Sequence, residues 1–122
     1  MPIVTVEIVA GADDAMADGL AQSLADAIGG ALQSPRGQTW VRVRSVAREQ
    51  YAENGALLDA AQLPVFVTIL KRQTEQPAEL EREVTALTRA VADVIGRPAA
   101  CVHVEYAPAA AGRVAFGGVL VR

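Results

Sequence analysis

The stretch PIVTVEIV at residues 2–9 carries valine or isoleucine at alternate positions, and PVFVTIL at residues 64–70 repeats the pattern 62 positions later. A second pair of similar stretches, VRV at residues 41–43 and VHV at residues 102–104, is separated by 61 positions. Alternation with a period of two and a high content of β-branched residues are typical of β-strands. The sequence therefore predicts two copies of one unit, each beginning and ending with a strand.

Between the two strands of each unit, apolar residues recur at helical spacing. These residues are Met16, Leu20, Leu24 and Ile28 in the first unit, and Leu80, Val84, Leu87, Val91 and Ile95 in the second. Asp13 or Asp14 is the expected N-cap of the first helix. The second helix is expected to start within residues 74–77 and to end at Gly96, ahead of Pro98. Each unit is therefore predicted to be a β-α-β unit.

The connection of these elements predicts the fold. A strand, a helix and a parallel strand cross over right-handedly in nearly all proteins, so both helices should cover the same sheet face. We therefore predict an α+β fold: a duplicated β-α-β forming a four-stranded mixed sheet with two helices on one face. Residues 1–122 form a single domain, with repeats at about 1–61 and 62–122. The other face keeps apolar side chains such as Phe66 and Leu70, which favours an oligomer.

Composition and charge narrow the class of protein. The chain has 122 residues, of which 52% are hydrophobic, and this suits one compact domain. Its net charge is −3, whereas a protein that binds nucleic acid through phosphates normally carries a basic excess. The first residues lack the basic region of a signal peptide, and no apolar run approaches the ~18 residues of a membrane span. We expect a cytoplasmic protein with no nucleic-acid or membrane partner.

A proline at position 2 has a direct chemical consequence. Methionine before a small residue is usually removed, and removal of Met1 would leave Pro2 with a free secondary amine. Burial in apolar surroundings and nearby cations both lower the pKa of an amine, because each disfavours the charged form. An amine with a pKa near neutrality acts as a general base. Pro2 is therefore the first candidate for a catalytic residue.

The strand after Pro2, the duplication, VRV at residues 41–43 and AFGG at residues 115–118 together resemble the tautomerase superfamily, specifically its 4-oxalocrotonate tautomerase-like group. The family unit is a β-α-β of about half this length that begins with a catalytic proline and ends with a Phe-Gly-containing turn. The resemblance covers essentially the whole chain as two fused units. It implies a tautomerase/MIF-like fold, isomerase activity with no cofactor or metal, and a homotrimer.

The resemblance also assigns roles to individual residues. Pro2 matches the proline that moves a proton between carbon and oxygen of a small enol or 2-oxo carboxylate, first as general base and then as general acid. Arg42 matches the arginine that holds a substrate carboxylate or polarises its 2-oxo group. Arg72, or Lys71 beside it, lies where some fused members bind a carboxylate, and Phe116 matches the aromatic residue that keeps the pocket dry. Arginine suits these roles because its planar guanidinium binds a carboxylate at two points.

The second unit departs from this pattern at two positions. Pro64 follows Leu63 through a peptide bond, so its nitrogen is an amide without basicity. His103 stands where Arg42 stands in the first unit, and an imidazole does not bind a carboxylate at two points. We therefore expect one active site per chain.

Two other functions stay open. YAENG at residues 51–55 resembles the segment of 3-chloroacrylic acid dehalogenases that carries a water-activating glutamate, so Glu53 would support a hydratase or dehalogenase. The fused topology closes the Pro2 pocket with residues 112–116, which leaves Glu53 at the Pro64 side or a subunit interface unless a neighbouring chain supplies it. A retained Met1 would instead block Pro2 and give a non-catalytic oligomeric binding protein.

The remaining polar residues indicate no further site. Cys101 and His103 share one face of a strand but have no third metal ligand beside them in the sequence, so no metal is expected. Cys101 is the single cysteine and cannot form an internal disulfide. Glu79, Glu81 and Glu83 are interpreted as a solvated helix face.

Overall fold

The computed structural model describes residues 2–11 and 16–122. Two β-α-β units and a C-terminal hairpin follow one another along the chain. Their bounds are β1 (Ile3–Ala10), α1 (Leu20–Ala31), β2 (Trp40–Ala47), β3 (Val65–Leu70), α2 (Pro77–Ile95), β4 (Val102–Tyr106), β5 (Ala115–Phe116) and β6 (Val119–Leu120). Short 3-10 turns occupy Arg48–Gln50, Ala60–Gln62 and Ala99–Cys101.

The main sheet has four strands in the order β2-β1-β3-β4. β1 is parallel to β2, and β3 is parallel to β4. The two units join through the antiparallel pair β1 and β3, in which Thr5 lies opposite Thr68. The predicted four-stranded mixed sheet is confirmed.

Both helices cover one face of this sheet. The side chains that alternate toward them are buried, with Val4, Val6 and Val65 at 0% exposure. Leu24 and Ile28 of α1 and Leu87 and Val91 of α2 complete the same core cluster. Burial of such aliphatic side chains is the main favourable term in folding, at roughly 1.5–3 kcal/mol each. The prediction of two helices on one face is also confirmed.

The helix boundaries agree with the sequence analysis for α2 and differ for α1. Pro77 occupies the first turn of α2, and Gly96 ends it with φ 79°. Met16 was expected on the stripe of α1, but it precedes the helix and is 38% exposed. The reason is Gly19, whose left-handed φ of 79° interrupts helical geometry immediately before Leu20. The expected caps Asp13 and Asp14 lie outside the described residues.

Within the described ranges, neither helix has the length and apolar character needed to cross a membrane. The same part of the chain contributes no helix to the second sheet face, here called the uncovered face. It carries apolar residues among polar and charged ones: Ile3, Thr5, Glu7, Trp40, Arg42, Arg44, Phe66, Thr68, Leu70, His103 and Glu105. Phe66 and Leu70 are half-buried there, as the strand alternation predicted.

Candidate active site

Pro2 lies buried at the start of β1, between the first residues of β2 and the last residues of β3. Its carbonyl accepts a hydrogen bond from the backbone N–H of Trp40, at 3.0 Å. The adjacent Ile3 pairs with Trp40 on one side and with Leu70 on the other. Burial lowers the pKa of an amine because the charged form loses hydration. This position therefore suits a nitrogen that must be neutral to act as a base.

Phe116 is held at the same end of the sheet as Pro2. Its ring meets the ring of Trp40 edge to face, with the centroids 5.1 Å apart. Phe116 closes the β5–β6 hairpin, and the next two residues, Gly117 and Gly118, have φ of 56° and 86°. Positive φ at both central residues defines a type I′ hairpin turn, which glycine adopts most readily. Ala110 N–H also donates to the carbonyl of Lys71 at 2.8 Å, so the C-terminal segment is attached beside Pro2.

Lys71 is part of a half-buried cluster with Glu83, Glu75 and Tyr106. Its Nζ lies 2.6 Å from Glu83 Oε1 and 3.1 Å from Glu75 Oε1. The Tyr106 hydroxyl donates to Glu83 Oε2 at 2.7 Å. Burial by itself lowers the pKa of Lys71, but the hydrogen bonds to Glu83 and Glu75 outweigh it and raise this pKa overall. Burial, followed by the bond to Glu83, also raises the pKa of Tyr106.

This cluster corrects one interpretation of the sequence. Glu83 was assigned to a solvated helix face, but its side chain is only 11% exposed. The signal was present in the spacing, because Glu83 follows Leu80 by three residues and precedes Leu87 by four, on the buried stripe of α2. Tyr106 was also missed as a polar partner. Its alternation with Val104 and Val102 on β4 turns it toward the helices.

The two candidate arginines lie in different places. Arg72 follows Lys71 at the Pro2 end, where its Nε donates to the carbonyl of Arg122. Arg42 lies opposite Thr5 on the uncovered face and donates from Nη2 to Thr5 Oγ1 at 3.3 Å. Thr5 is three residues, or about 10 Å, along the strand from Pro2. One chain therefore brings Pro2, Phe116, Lys71 and Arg72 to one end of the sheet, but not Arg42.

Pro64 occupies the equivalent position at the opposite end of the sheet. It is fully buried, and its carbonyl accepts from Val9 N–H at 3.1 Å. Arg97 donates from Nη1 to the carbonyl of Leu63 at 2.7 Å and from Nη2 to the carbonyl of Val9 at 2.9 Å. At the position equivalent to Pro2, the nitrogen is therefore part of the Leu63–Pro64 peptide bond and is an amide.

Glu53 also lies at the Pro64 end. It accepts a 2.5 Å hydrogen bond from the Tyr51 hydroxyl, and this bond raises the pKa of Tyr51. The Tyr51 ring packs 5.8 Å from that of Phe66, which pairs with Glu7 toward the far end of β1. Glu53 and Leu63 line one cleft of about 300 Å³. Within one chain, the length of β1 separates Glu53 from Pro2.

Residues that commonly bind metals are scattered in the described part of the chain. Residues 2–11 and 16–122 contain no group of three or more His, Cys, Asp or Glu side chains that could hold an ion. His103 contacts Phe66 instead, with the ring centroids 5.6 Å apart. Cys101 is half-buried and unpaired by any disulfide.

Solved structures match this architecture over nearly its whole length. A fused 4-OT determined as an asymmetric trimer has a TM-score of 0.76 at 15% identity, covering 97% of this chain and 94% of its own. A chain crystallised after inactivation by 2-oxo-3-pentynoate has a TM-score of 0.74 at 15% identity, with 97% and 94% covered. The macrophage migration inhibitory factor from Trichinella spiralis has a TM-score of 0.73 at 16% identity, with 97% and 98% covered. All three are members of the tautomerase superfamily.

The chain has the tautomerase-superfamily fold. No protein-family model matches the sequence, and none of the curated protein sequences does. At identities of 15–16%, these structures share the fold of this tautomerase-fold protein.

Proposed function

We propose that this protein is a cofactor-independent tautomerase that moves a proton between carbon and oxygen of a small 2-oxo or enol carboxylate. The observation that carries the proposal is the buried Pro2 at the first strand of a tautomerase fold, with Phe116 held at the same end of the sheet. The proposal requires removal of Met1, because only a free Pro2 nitrogen has a lone pair for the proton.

In the proposed reaction, the neutral Pro2 amine removes a proton from the carbon next to the 2-oxo group. The electron pair of the broken C–H bond forms the enol double bond, and the oxo oxygen takes up the charge. Protonated Pro2 then returns the proton to that oxygen, so atoms and electrons balance within one isomerisation. The reverse sequence converts enol to oxo acid. General base and acid catalysis of this kind contributes about 10²- to 10⁴-fold to a rate.

Arginine side chains support a carboxylate-bearing substrate. Arg72 lies at the Pro2 end and is exposed. Its Nε donates to the main-chain oxygen of Arg122, so its two terminal Nη groups would be the ones that bind an anion. The inactivation of a protein of this fold by 2-oxo-3-pentynoate, itself a 2-oxo carboxylate, also supports this substrate class. Lys71 is a weaker candidate as a direct ligand, since Glu83 and Glu75 already neutralise its charge. Phe116 and Trp40 would exclude water from the reacting atoms.

A homotrimer is part of the proposal. The uncovered face mixes half-buried Phe66 and Leu70 with charged residues, which suits contact with another copy of the chain. Solved fused 4-OT chains of the same fold form trimers. In such an assembly Arg42, which is on this face, would act on the Pro2 site of a neighbouring subunit.

The proposal is tested by mass and by turnover. We expect the intact mass of untagged protein to be short by one methionine. We also expect the protein to accelerate deuterium incorporation at C3 of 2-oxobutanoate in D₂O, followed by proton NMR. Pro2→Ala should lower kcat/KM by about 100-fold or more, because a primary amine replaces the proline base. Pro64→Ala is the matched control and should retain activity, since its nitrogen is an amide in either form.

The other outcomes separate the alternatives. A full-length mass together with absent exchange would contradict the tautomerase proposal and favour a non-catalytic binding protein. Equal activity of Pro2→Ala and wild type would also contradict it. As a direct probe, 2-oxo-3-pentynoate should add its mass to the peptide that begins with Pro2, and a chain that retains Met1 should not be modified at Pro2.

A further inference from the structure

The Lys71–Glu83 ion pair needs an explanation beyond stability. The side chains of Lys71 and Glu83 are only 15% and 11% exposed, and their charged atoms lie 2.6 Å apart. Taking two charges out of water costs free energy that a buried ion pair often does not recover, so such a pair is weak evidence of stabilisation. The pair is also well ordered, since Tyr106 donates to the second oxygen of Glu83. This arrangement suits a function in which a fixed charge matters.

The sheet register brings this pair next to Pro2. Ile3 and Leu70 are the last pair at this end of the antiparallel β1–β3 ladder, and Pro2 and Lys71 are the residues adjacent to them. Continued by one residue, the same register would set Pro2 across from Lys71. Opposite residues in such a pair have Cα atoms about 5 Å apart. Side chains alternate along a strand, which turns Lys71 and Pro2 to the same helix-covered side as Ile69 and Val4. By this placement, buried Pro2 and half-buried Lys71 are neighbours at one end of the sheet.

We propose that the Lys71–Glu83 pair sets the proton affinity of the Pro2 amine, with Lys71 favouring the neutral amine and Glu83 limiting that effect. This rests on the proposed function in requiring a free Pro2 nitrogen. A cation near an amine disfavours its protonated form, and the interaction is stronger in a half-buried region than in bulk water. Lys71 and Glu83 are positioning residues in this scheme, since they act through Pro2 and not on the substrate.

The remaining charged or titratable groups around the pair are few among the described residues. Glu75 reaches Lys71 from the segment before α2 but is 46% exposed, so water screens it. Tyr106 faces Glu83 from β4, and its raised pKa keeps it neutral at the pH of the experiment. Arg72, the next residue after Lys71, donates to the main-chain oxygen of Arg122. Glu83 is therefore the carboxylate best placed to offset the charge of Lys71.

The test is an NMR titration of the Pro2 nitrogen in ¹⁵N-proline-labelled protein whose mass confirms a free Pro2, prepared with methionine aminopeptidase in vitro where needed. Lys71→Met should move the titration of Pro2 to higher pH, because Glu83 is left without its cation. Glu83→Gln should move it to lower pH, because Lys71 is left without its carboxylate. The corresponding kcat/KM on the acidic side of the pH profile should fall about three- to tenfold in the first variant and rise in the second.

Three controls make the result decisive. In Lys71→Arg the charge is kept, and Pro2 should titrate close to its wild-type pH. Glu79→Gln removes an exposed carboxylate of the same helix, one that pairs with Arg82, and should also leave the titration of Pro2 close to wild type. The Lys71→Met/Glu83→Gln double variant should titrate between the two single variants. Loss of packing cannot move one amine in opposite directions, so shifts of the same sign, or none, would overturn the proposal. The titration of Pro2 can be measured without any enzymatic turnover. If the two variants shift it in opposite directions but the tautomerase assay shows no activity, the result would contradict only the proposed function.

Discussion

Two prolines begin equivalent strands of this chain but differ in what their nitrogen can do. Pro2 and Pro64 are both buried, and each carbonyl accepts a backbone hydrogen bond from a neighbouring strand. The two prolines therefore do not differ in burial or in backbone hydrogen bonding. The difference is covalent, because the nitrogen of Pro64 is in an amide bond to Leu63, whereas removal of Met1 would leave Pro2 as an amine. In the proposed function, this one bond decides which end of the duplicated fold could transfer protons.

The ionisation of Tyr106 should make the free energy of unfolding depend on pH in the alkaline range. Burial and the bond to Glu83 raise the pKa of Tyr106 above its ordinary value of 10.0. A raised pKa means that the folded state keeps a proton that the unfolded chain loses, so this stabilisation is full below pH 10 and is lost as pH rises further. The raised pKa of Lys71 acts in the same direction. Urea unfolding from pH ~9 to ~11 should show a falling free energy of unfolding, with a smaller fall in Tyr106→Phe.

Tyr51→Phe is the matched control for that experiment. Tyr51 also bonds to a carboxylate, Glu53, but at an exposed site. Its removal should change the alkaline slope less than removal of the Tyr106 hydroxyl does. The interpretation of Tyr106 fails if Tyr106→Phe and wild type lose stability in parallel over this range.

Among the elements, the β5–β6 hairpin has a local conformation on which the candidate site depends. Gly117 and Gly118 both have positive φ, and the hairpin holds Phe116 against Trp40. In contrast, α2 depends on packing, because its apolar stripe is fixed against the sheet by Leu87 and Val91. A backbone change in the hairpin should therefore affect the site without affecting the core.

Gly118→Ala tests this separation. A Cβ at Gly118 would meet no atom within 4 Å, so the cost comes only from the φ of 86°, at about 1–2 kcal/mol. We expect a small loss in the free energy of unfolding but a fall in kcat/KM of about tenfold or more, as Phe116 leaves its position and water enters. Urea unfolding and the exchange assay measure the two effects.

Gly55→Ala is matched in geometry, with a φ of 73° and open space around its Cβ, but it lies at the Pro64 end. It should lose a similar amount of stability and keep its activity. Equal losses of activity in both variants would contradict a specific role for the hairpin.

At the scale of the whole molecule, each unit covers the proline end of the other. Residues 110–122 lie beside Pro2, whereas the segment with Tyr51 and Glu53 lies at the Pro64 end. The uncovered face carries Arg42 away from its own Pro2. If the chain assembles as proposed, a complete site then combines Pro2 of one subunit with Arg42 of another.

Mixed trimers test this sharing. Pro2→Ala and Arg42→Met should each have little activity alone, with kcat/KM about 100-fold or more below wild type for Pro2→Ala. After equal amounts of the two are unfolded and refolded together, random assembly should give about one quarter of the sites an intact Pro2 and an intact Arg42 from the neighbour, and activity should return to that extent. Measurement of the exchange rate against mixing ratio checks this expectation.

Arg72→Met mixed with Pro2→Ala is the matched control, because Arg72 lies at the Pro2 end of its own chain. We expect no recovery in that mixture. Recovery with Arg72→Met and none with Arg42→Met would contradict the proposal, because it would mean that the neighbouring subunit supplies Arg72 and that Arg42 acts on the Pro2 of its own chain.

The sequence by itself determined most of the elements and the type of sheet, a four-stranded mixed sheet with both helices on one face. Valine and isoleucine at alternate positions marked β1 and β3, and the stripe from Leu80 to Ile95 marked α2 with its end at Gly96. These patterns are local, since each depends on the two- or 3.6-residue period of one segment. The start of α1 was missed because one left-handed residue, Gly19, overrides a periodic pattern.

Only the tertiary structure decided which side chains meet. The burial of Glu83 against Lys71 and Tyr106, and the separation of Arg42 from Pro2, both depend on strand register and on which face each residue takes. A shift of one residue in register exchanges the two faces of a strand, and nothing in the local pattern of a strand fixes its partner's position. The elements follow from short-range periodicity, whereas the candidate site follows from long-range pairing.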